Sequence, residues 1–295
     1  MIRAFVTAFT ALAGFAFGSF LNVCLSRWPA GESVVKPRSH CRNCGRTLTW
    51  WENIPLLSWL TLRGHCRTCK AAISWRYPAV ELAVGIFWSC AVWIESSTFP
   101  YSDLATEFVR LASQCVLLWL LVALAFLDAE RLWLPDKLTI PGIALGYIST
   151  LAVFSLRAPA VLAFYGASQL RNRMLFDLAW KRALSILAAA LLILAIRWLY
   201  WLLRRREGIG LGDAKLMAML AAWLGLPGAL LSFAIGVILG AVVGVIVLAR
   251  GPRAGTENPA LAKLPLGAFL CIGGIISSLW GQPIISAYMR YAGLN

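Results

Sequence analysis

The chain has 295 residues, 60% of them hydrophobic and only 14% charged, with a mean hydropathy of +0.74. Apolar runs near 20 residues long, each enough to cross a hydrocarbon core of about 30 Å, exclude a soluble domain and indicate an all-α polytopic membrane protein. The formal charge of +14 lies mostly in loops, where it meets anionic lipid. It comes with no nucleic-acid motif and no internal repeat.

About eight spans are expected, near 4–24, 77–94, 107–128, 138–155, 183–203, 214–226, 228–249 and 265–282. No small-residue cleavage site follows the first, so it reads as a retained span rather than a signal peptide. The loop at 26–76 carries nine lysines and arginines against Glu32 and Glu52, which puts it in the cytoplasm and the N-terminus outside. Alternation then places 128–137, 204–213 and 250–263 on the same side. The loop at 95–106, with Glu95 and Asp103, falls outside. The stretch 156–182 also falls outside, yet holds Arg157, Arg171, Arg173, Lys181 and Arg182 among Tyr165, Leu170, Met174 and Trp180. It reads as an interfacial amphipathic helix. Leu226-Pro227-Gly228 predicts a tight turn that folds the sixth and seventh spans into a hairpin. Three regions result: a first span (1–25), a loop domain (26–76), and a membrane domain (77–295) with the insertion at 156–182.

Cys24, Cys90, Cys115 and Cys271 lie singly in apolar runs, where a thiol is a small hydrophobe. Cys41, Cys44, Cys66 and Cys69 form two CxxC pairs, and the 21 residues 45–65 between them match a four-cysteine zinc spacing. Four thiolates leave zinc no open position, so the role is structural. Arg42, Arg46, Arg67 and Lys70 offset the negative charge of such a centre. His40 and His65, each just before a CxxC, are substitutes or donors to the ligands. The competing reading is a redox dithiol or an unligated loop.

The acids near the membrane surface carry the chemistry. In Gly208-Ile209-Gly210-Leu211-Gly212-Asp213 the aspartate opens an apolar run, and Gly210 and Gly212 allow close backbone approach. Asp213 either caps its helix or is functional. Asp128 ends its span, where the helix dipole disfavours negative charge, and no local role accounts for it. Together they suggest a membrane aspartic protease, with Asp213 as base and Asp128 as acid. Asp136 is read as a helix cap. Lys215 has two readings, a headgroup anchor or a substrate contact.

With these residues in view, the chain resembles the type IV prepilin leader peptidase/N-methyltransferases. The resemblance rests on Gly18-Ser19-Phe20-Leu21-Asn22-Val23, both CxxC pairs, the stretch from Glu52 and Asn53 to Trp59, and Arg76-Tyr77-Pro78-Ala79-Val80-Glu81. It continues through Asp128, Leu134-Pro135-Asp136, the glycine-rich stretch to Lys215 and Leu216, and Pro265-Leu266-Gly267, where Leu266 replaces an expected phenylalanine. It implies a GxGD-type endopeptidase of the bacterial inner membrane, facing the cytoplasm. Its substrates would be prepilins or pseudopilins, cut after a glycine, with Asp128 and Asp213 as the catalytic pair. It further implies N-methylation with S-adenosylmethionine, for which Glu52, Asn53 and Glu81 are candidate binding residues, while Gly210, Gly212, Lys215 and Asp136 are supporting ones. A peptidase without methyltransferase activity, a zinc-scaffolded assembly protein and an ion relay are the alternatives. Oligomeric state is left open.

Overall fold

A computed structural model describes residues 2–98, 104–162, 168–205, 210–250 and 264–293. Asp103, Gly208 and nearly all of the 250–263 loop lie outside the described residues. The described chain is helical apart from loops and two isolated β-bridges. Among the described residues, seven helices are long and apolar enough to cross a membrane. The chain divides into two compact units, Met1–Pro100 and Tyr101–Asn295.

In the first unit α1 (Ile2–Arg27) and α3 (Arg76–Thr98) pack antiparallel. Gly18 lies so close to Glu81 that a Cβ on the glycine would sit 2.7 Å from the Glu81 Cα. Asn22 Nδ2 donates to the Tyr77 carbonyl at 2.9 Å. Between them lies a loop domain with the short helix α2 (Leu57–Thr61).

This loop holds an internal repeat, which corrects the reading of a chain without one. His40-Cys41-Arg42-Asn43-Cys44 and His65-Cys66-Arg67-Thr68-Cys69 form two knuckles of the same build. The first cysteine N–H bonds a carbonyl beyond its turn, Arg46 O at 2.9 Å in one and Ala71 O at 2.8 Å in the other. Its own carbonyl accepts from Gly45 N or Lys70 N, at residues with φ of 70° and 58°. Bridges His40–Thr47 and His65–Ala72 close both knuckles, and each runs on to an exposed tryptophan, Trp50 or Trp75. The likeness is hard to read from sequence because the knuckle needs little beyond its cysteines and a residue tolerant of positive φ.

The second unit holds α4 (Leu104–Arg131), α5 (Asp136–Leu162), α6 (Ser168–Arg204), α7 (Leu211–Ala249) and α8 (Leu266–Tyr291). Residue pairs fix the directions. Asp128 meets Gly267 and Leu121 meets Gly274, so α4 and α8 run antiparallel. Along α7 the partners on α8 first ascend and then descend: Leu220 lies against Gly274, Ser277 bonds Gly228, and Leu270 lies against Gly236. A straight helix cannot do this. The hydrogen-bonded run is broken at Gly225 (φ 74°, ψ 176°), and the two limbs form the hairpin expected at Leu226-Pro227-Gly228. The sixth and seventh expected spans, 214–226 and 228–249, are therefore the two limbs of α7. Gly225 stands where a side chain would be strained, and the Arg182 guanidinium bonds the Ala221 carbonyl at 3.2 Å, covering the end of the first limb.

The insertion differs from the sequence reading. Its described residues extend the flanking helices: α5 runs on to Leu162, and α6 begins at Ser168 and continues unbroken into its span. At 1.5 Å per residue the 37 residues of α6 reach about 55 Å, well beyond a hydrocarbon core of about 30 Å. An exposed Asp177–Lys181 ion pair at 2.7 Å, four residues apart, decorates the extension.

Candidate active site

Asp128 lies in the last turn of α4, which closes at Leu132, a residue with φ of 52° whose N–H returns to the Asp128 carbonyl at 2.8 Å. The side chain is buried. Its Oδ2 accepts the Ala268 N–H at 2.8 Å, in the first turn of α8. This supplies the local partner that sequence reasoning could not find. It also removes the dipole argument for Asp128 as the acid, because the carboxylate faces the N-terminal end of α8 as well as the C-terminal end of α4.

Asp213, also buried, is in the first turn of α7, and its Oδ2 accepts the Gly210 N–H at 3.1 Å. It is thus the third helical residue bonding back to the residue before the helix, a variant of the capping expected. Both aspartates therefore accept backbone N–H groups at helix N-termini. Leu134 packs against Gly212, the residue before Asp213, and against Gly267, which is in turn packed against Asp128. The two carboxylates interact electrostatically, and Cys271, fully buried, lies within the field of both.

Asp136 and Lys215 form an ion pair joining the start of α5 to the first turn of α7. The pair is half-exposed. Lys215 is thus engaged within the protein, and Asp136 directs its carboxylate to that lysine. Two residues 79 apart in sequence gave no hint of this pairing.

In the loop domain the four sulfurs of Cys41, Cys44, Cys66 and Cys69 lie within 4.8 Å of one another. Cys41 Sγ and Cys69 Sγ are 3.8 Å apart, which matches the edge of about 3.8 Å for a tetrahedron with Zn–S bonds of about 2.3 Å. Asn43 Nδ2 donates to Cys69 Sγ at 3.6 Å. Backbone N–H groups of Cys69 and Thr68 lower the Cys66 thiol to about 6, favouring the thiolate a metal requires. The residues fit a structural zinc. His40 and His65 turn Nδ1 to the carbonyls of Arg38 and Arg63 and stay outside the sulfur cluster.

Glu52 takes the Arg46 guanidinium and both the N–H and hydroxyl of Thr49, a network that holds its carboxyl down at about 2. Asn53 is exposed, its Nδ2 3.4 Å from the Thr49 carbonyl. Glu81 accepts the Leu56 N–H at 2.8 Å. Each of the three carries a local structural duty.

The fold and site define a multi-pass membrane protein with two buried aspartates converging on one end of a helical unit and a four-cysteine loop domain. The description "Bacterial Peptidase A24 N-terminal domain" matches residues 12–94, and "Type IV leader peptidase family" matches residues 115–245. The chain is 33% identical over 95% of its length to a prepilin leader peptidase/N-methyltransferase of Stutzerimonas stutzeri, covering 93% of that protein. It is 34% identical over 97% of its length to one of Pseudomonas aeruginosa, covering 94% of it. A Myxococcus xanthus relative of the same name is 38% identical over 85% of this chain, covering 66% of that protein. No solved structure matches. The chain belongs to the type IV leader peptidase family and is a multi-pass protein of the bacterial inner membrane.

Proposed function

We propose that the chain is a membrane aspartic endopeptidase that removes the leader of prepilins or pseudopilins after a glycine and then methylates the new N-terminus. The observation that carries the peptidase reading is that Asp128 and Asp213, buried on different helices, lie close enough to interact electrostatically. Two interacting carboxylates hold one proton between them more readily than none, so the titration belongs to the pair. The ionised member takes a proton from water while the protonated member donates to the scissile carbonyl oxygen. The resulting tetrahedral diol collapses, and the proton passes to the departing amine. Gly210 and Gly212 support the site from within, Gly212 by letting Leu134 pack closely beside Asp213, and the Asp136–Lys215 pair supports the junction of α5 and α7.

The basic loop domain favours a cytoplasmic site, on the side where lysines and arginines accumulate. Zinc, held by Cys41, Cys44, Cys66 and Cys69, would cross-link the two knuckles. S-adenosylmethionine, when bound, supplies the methyl group for the new amine. Glu52, Asn53 and Glu81 are proposed to border it, the two carboxylates as groups already fixed by hydrogen bonds. The pairing of cleavage with methylation is supported by the names of the relatives, which join both activities.

The test is cleavage of a prepilin-type substrate in detergent or liposomes by wild type, Asp128→Asn and Asp213→Asn, with products read by mass spectrometry. Cleavage after glycine that vanishes in both variants, and a one-methyl increment when S-adenosylmethionine is added, is the expected result. Cleavage that survives both substitutions would return the weight to a scaffold or ion relay.

A further inference from the structure

The loop domain presents apolar side chains that its own fold leaves uncovered. Leu57 and Leu60 on α2 are 58% and 61% exposed, and Trp50 and Trp75, at matching places in the two knuckles, are 80% and 72% exposed. Trp75 immediately precedes α3, where a membrane span begins.

Glu81 sets the depth of α2. It lies five residues into α3 from Arg76, about 7 Å along the axis. Helical side chains lean toward their own N-terminus, so the carboxylate reaches back toward the loop. It accepts the Leu56 N–H at 2.8 Å, so α2 begins between the level of Arg76 and about 7 Å below it. That is the depth of the boundary between headgroups and acyl chains. A backbone N–H at this level needs a protein partner, and Glu81 provides one.

The chain enters and leaves α2 through positive φ at non-glycine residues, 61° at Leu56 and 51° at Arg63. The surrounding charge complements an anionic surface: residues 28–75 carry seven lysines and arginines against two acids, and one acid, Glu52, is already paired with Arg46. Lys36, Arg38, Arg42, Arg63, Arg67 and Lys70 are exposed.

We propose that residues 54–62 form an interfacial anchor, with Leu57 and Leu60 in the acyl region, that seats the loop domain on the anionic phospholipid leaflet at its own end of α1 and α3. Trp50 and Trp75 lie at headgroup level, where amphipathic rings are favoured. The anchor is continuous with the two spans and uses the loop's positive charge. It requires no substrate and is independent of the cleavage chemistry.

The experiment places a genetically encoded nitroxide side chain at position 57 or 60 of the full chain, with position 32 as the aqueous reference, in lipid nanodiscs. Collision with oxygen is compared with collision with a water-soluble nickel complex, in discs of phosphatidylcholine alone and discs rich in phosphatidylglycerol. Oxygen-dominated relaxation at 57 and 60, deeper in the anionic discs, and nickel-dominated relaxation at 32 are expected. Nickel-dominated relaxation at 57 and 60 overturns the anchor. Shielding of both positions from both reagents overturns it too, because protein then covers the face. Equal depth in the two lipids overturns the choice of an anionic leaflet. None of these readings depends on cleavage, so they separate cleanly from a failure of the proposed activity.

Discussion

Gly267→Ala tests whether the backbone of α8 sets the position of Asp128. A methyl at this position would lie 2.8 Å from Leu134 Cδ1, 2.9 Å from Asp128 Oδ2 and 3.0 Å from Asp128 Cγ. Non-bonded carbons settle at about 3.5–4.0 Å, so the neighbours must retreat by about 0.5–1 Å. Leu134 is already packed against Gly212. The carboxylate is therefore the group that moves, and its 2.8 Å bond from the Ala268 N–H lengthens. A hydrogen bond to a charged group contributes about 1.5–3 kcal/mol, and overpacking costs about 1–3 kcal/mol. A misplacement near 1 Å can lower the rate about 100-fold. The expected outcome is kcat down about 100-fold with KM little changed, measured on purified protein by a mass-spectrometric time course. Gly240→Ala is the comparison: its methyl would meet the Phe269 ring at 3.3 Å, and the ring can turn. Wild-type kcat in Gly267→Ala would refute the reasoning.

Three further outcomes follow from the same structure. Purified protein should carry about one zinc per chain, and Cys41→Ser or Cys66→Ser should lose it, with a change in near-ultraviolet circular dichroism from the loop tryptophans; metal content unchanged in both variants would reject the site. Arg182→Met removes the charged donor on the Ala221 carbonyl and should lower stability by about 1.5–3 kcal/mol, read as a fall in thermal midpoint in detergent. An unmoved midpoint would mean that the reversal at Gly225 holds without it. The Glu52 carboxyl sits at about 2 in the folded chain against an ordinary 4.5, chiefly because of the Arg46 guanidinium. Its contribution is complete above pH about 4.5 and is lost as pH falls through about 2. Glu52→Gln should flatten that part of the acid unfolding curve relative to wild type, and identical acid limbs would contradict the pairing.

What could be read from the sequence was what is local along the chain. The spans follow from hydropathy, the hairpin from Pro227 and Gly228 inside an apolar run, and the zinc site from cysteine spacing. Asp128 stands out because its own helix gives it no partner. The partner itself, the Ala268 N–H, is 140 residues away, and backbone donors leave no mark in a sequence. Pro265 and Gly267 at the head of an apolar run were the available signal, since a helix start there exposes N–H groups. The Asp136–Lys215 pair was hidden for a related reason, because a lysine at a helix start reads equally well as a headgroup anchor. The 156–182 stretch is ambiguous through its mixed composition: Arg171, Asp177 and Lys181 suit a helix that continues a span as well as one lying along the interface.

The reversal at Gly225 also fixes a parity. Because α7 goes and returns, the second unit makes an even number of passes. Leu104 and Tyr291, at its two ends, come out at the face opposite the aspartates. A tag or reporter joined directly after Tyr291 therefore emerges at the end of the helices opposite Asp128 and Asp213. The approach to Asp128 and Asp213 is left to the segments that enter and leave on their own side.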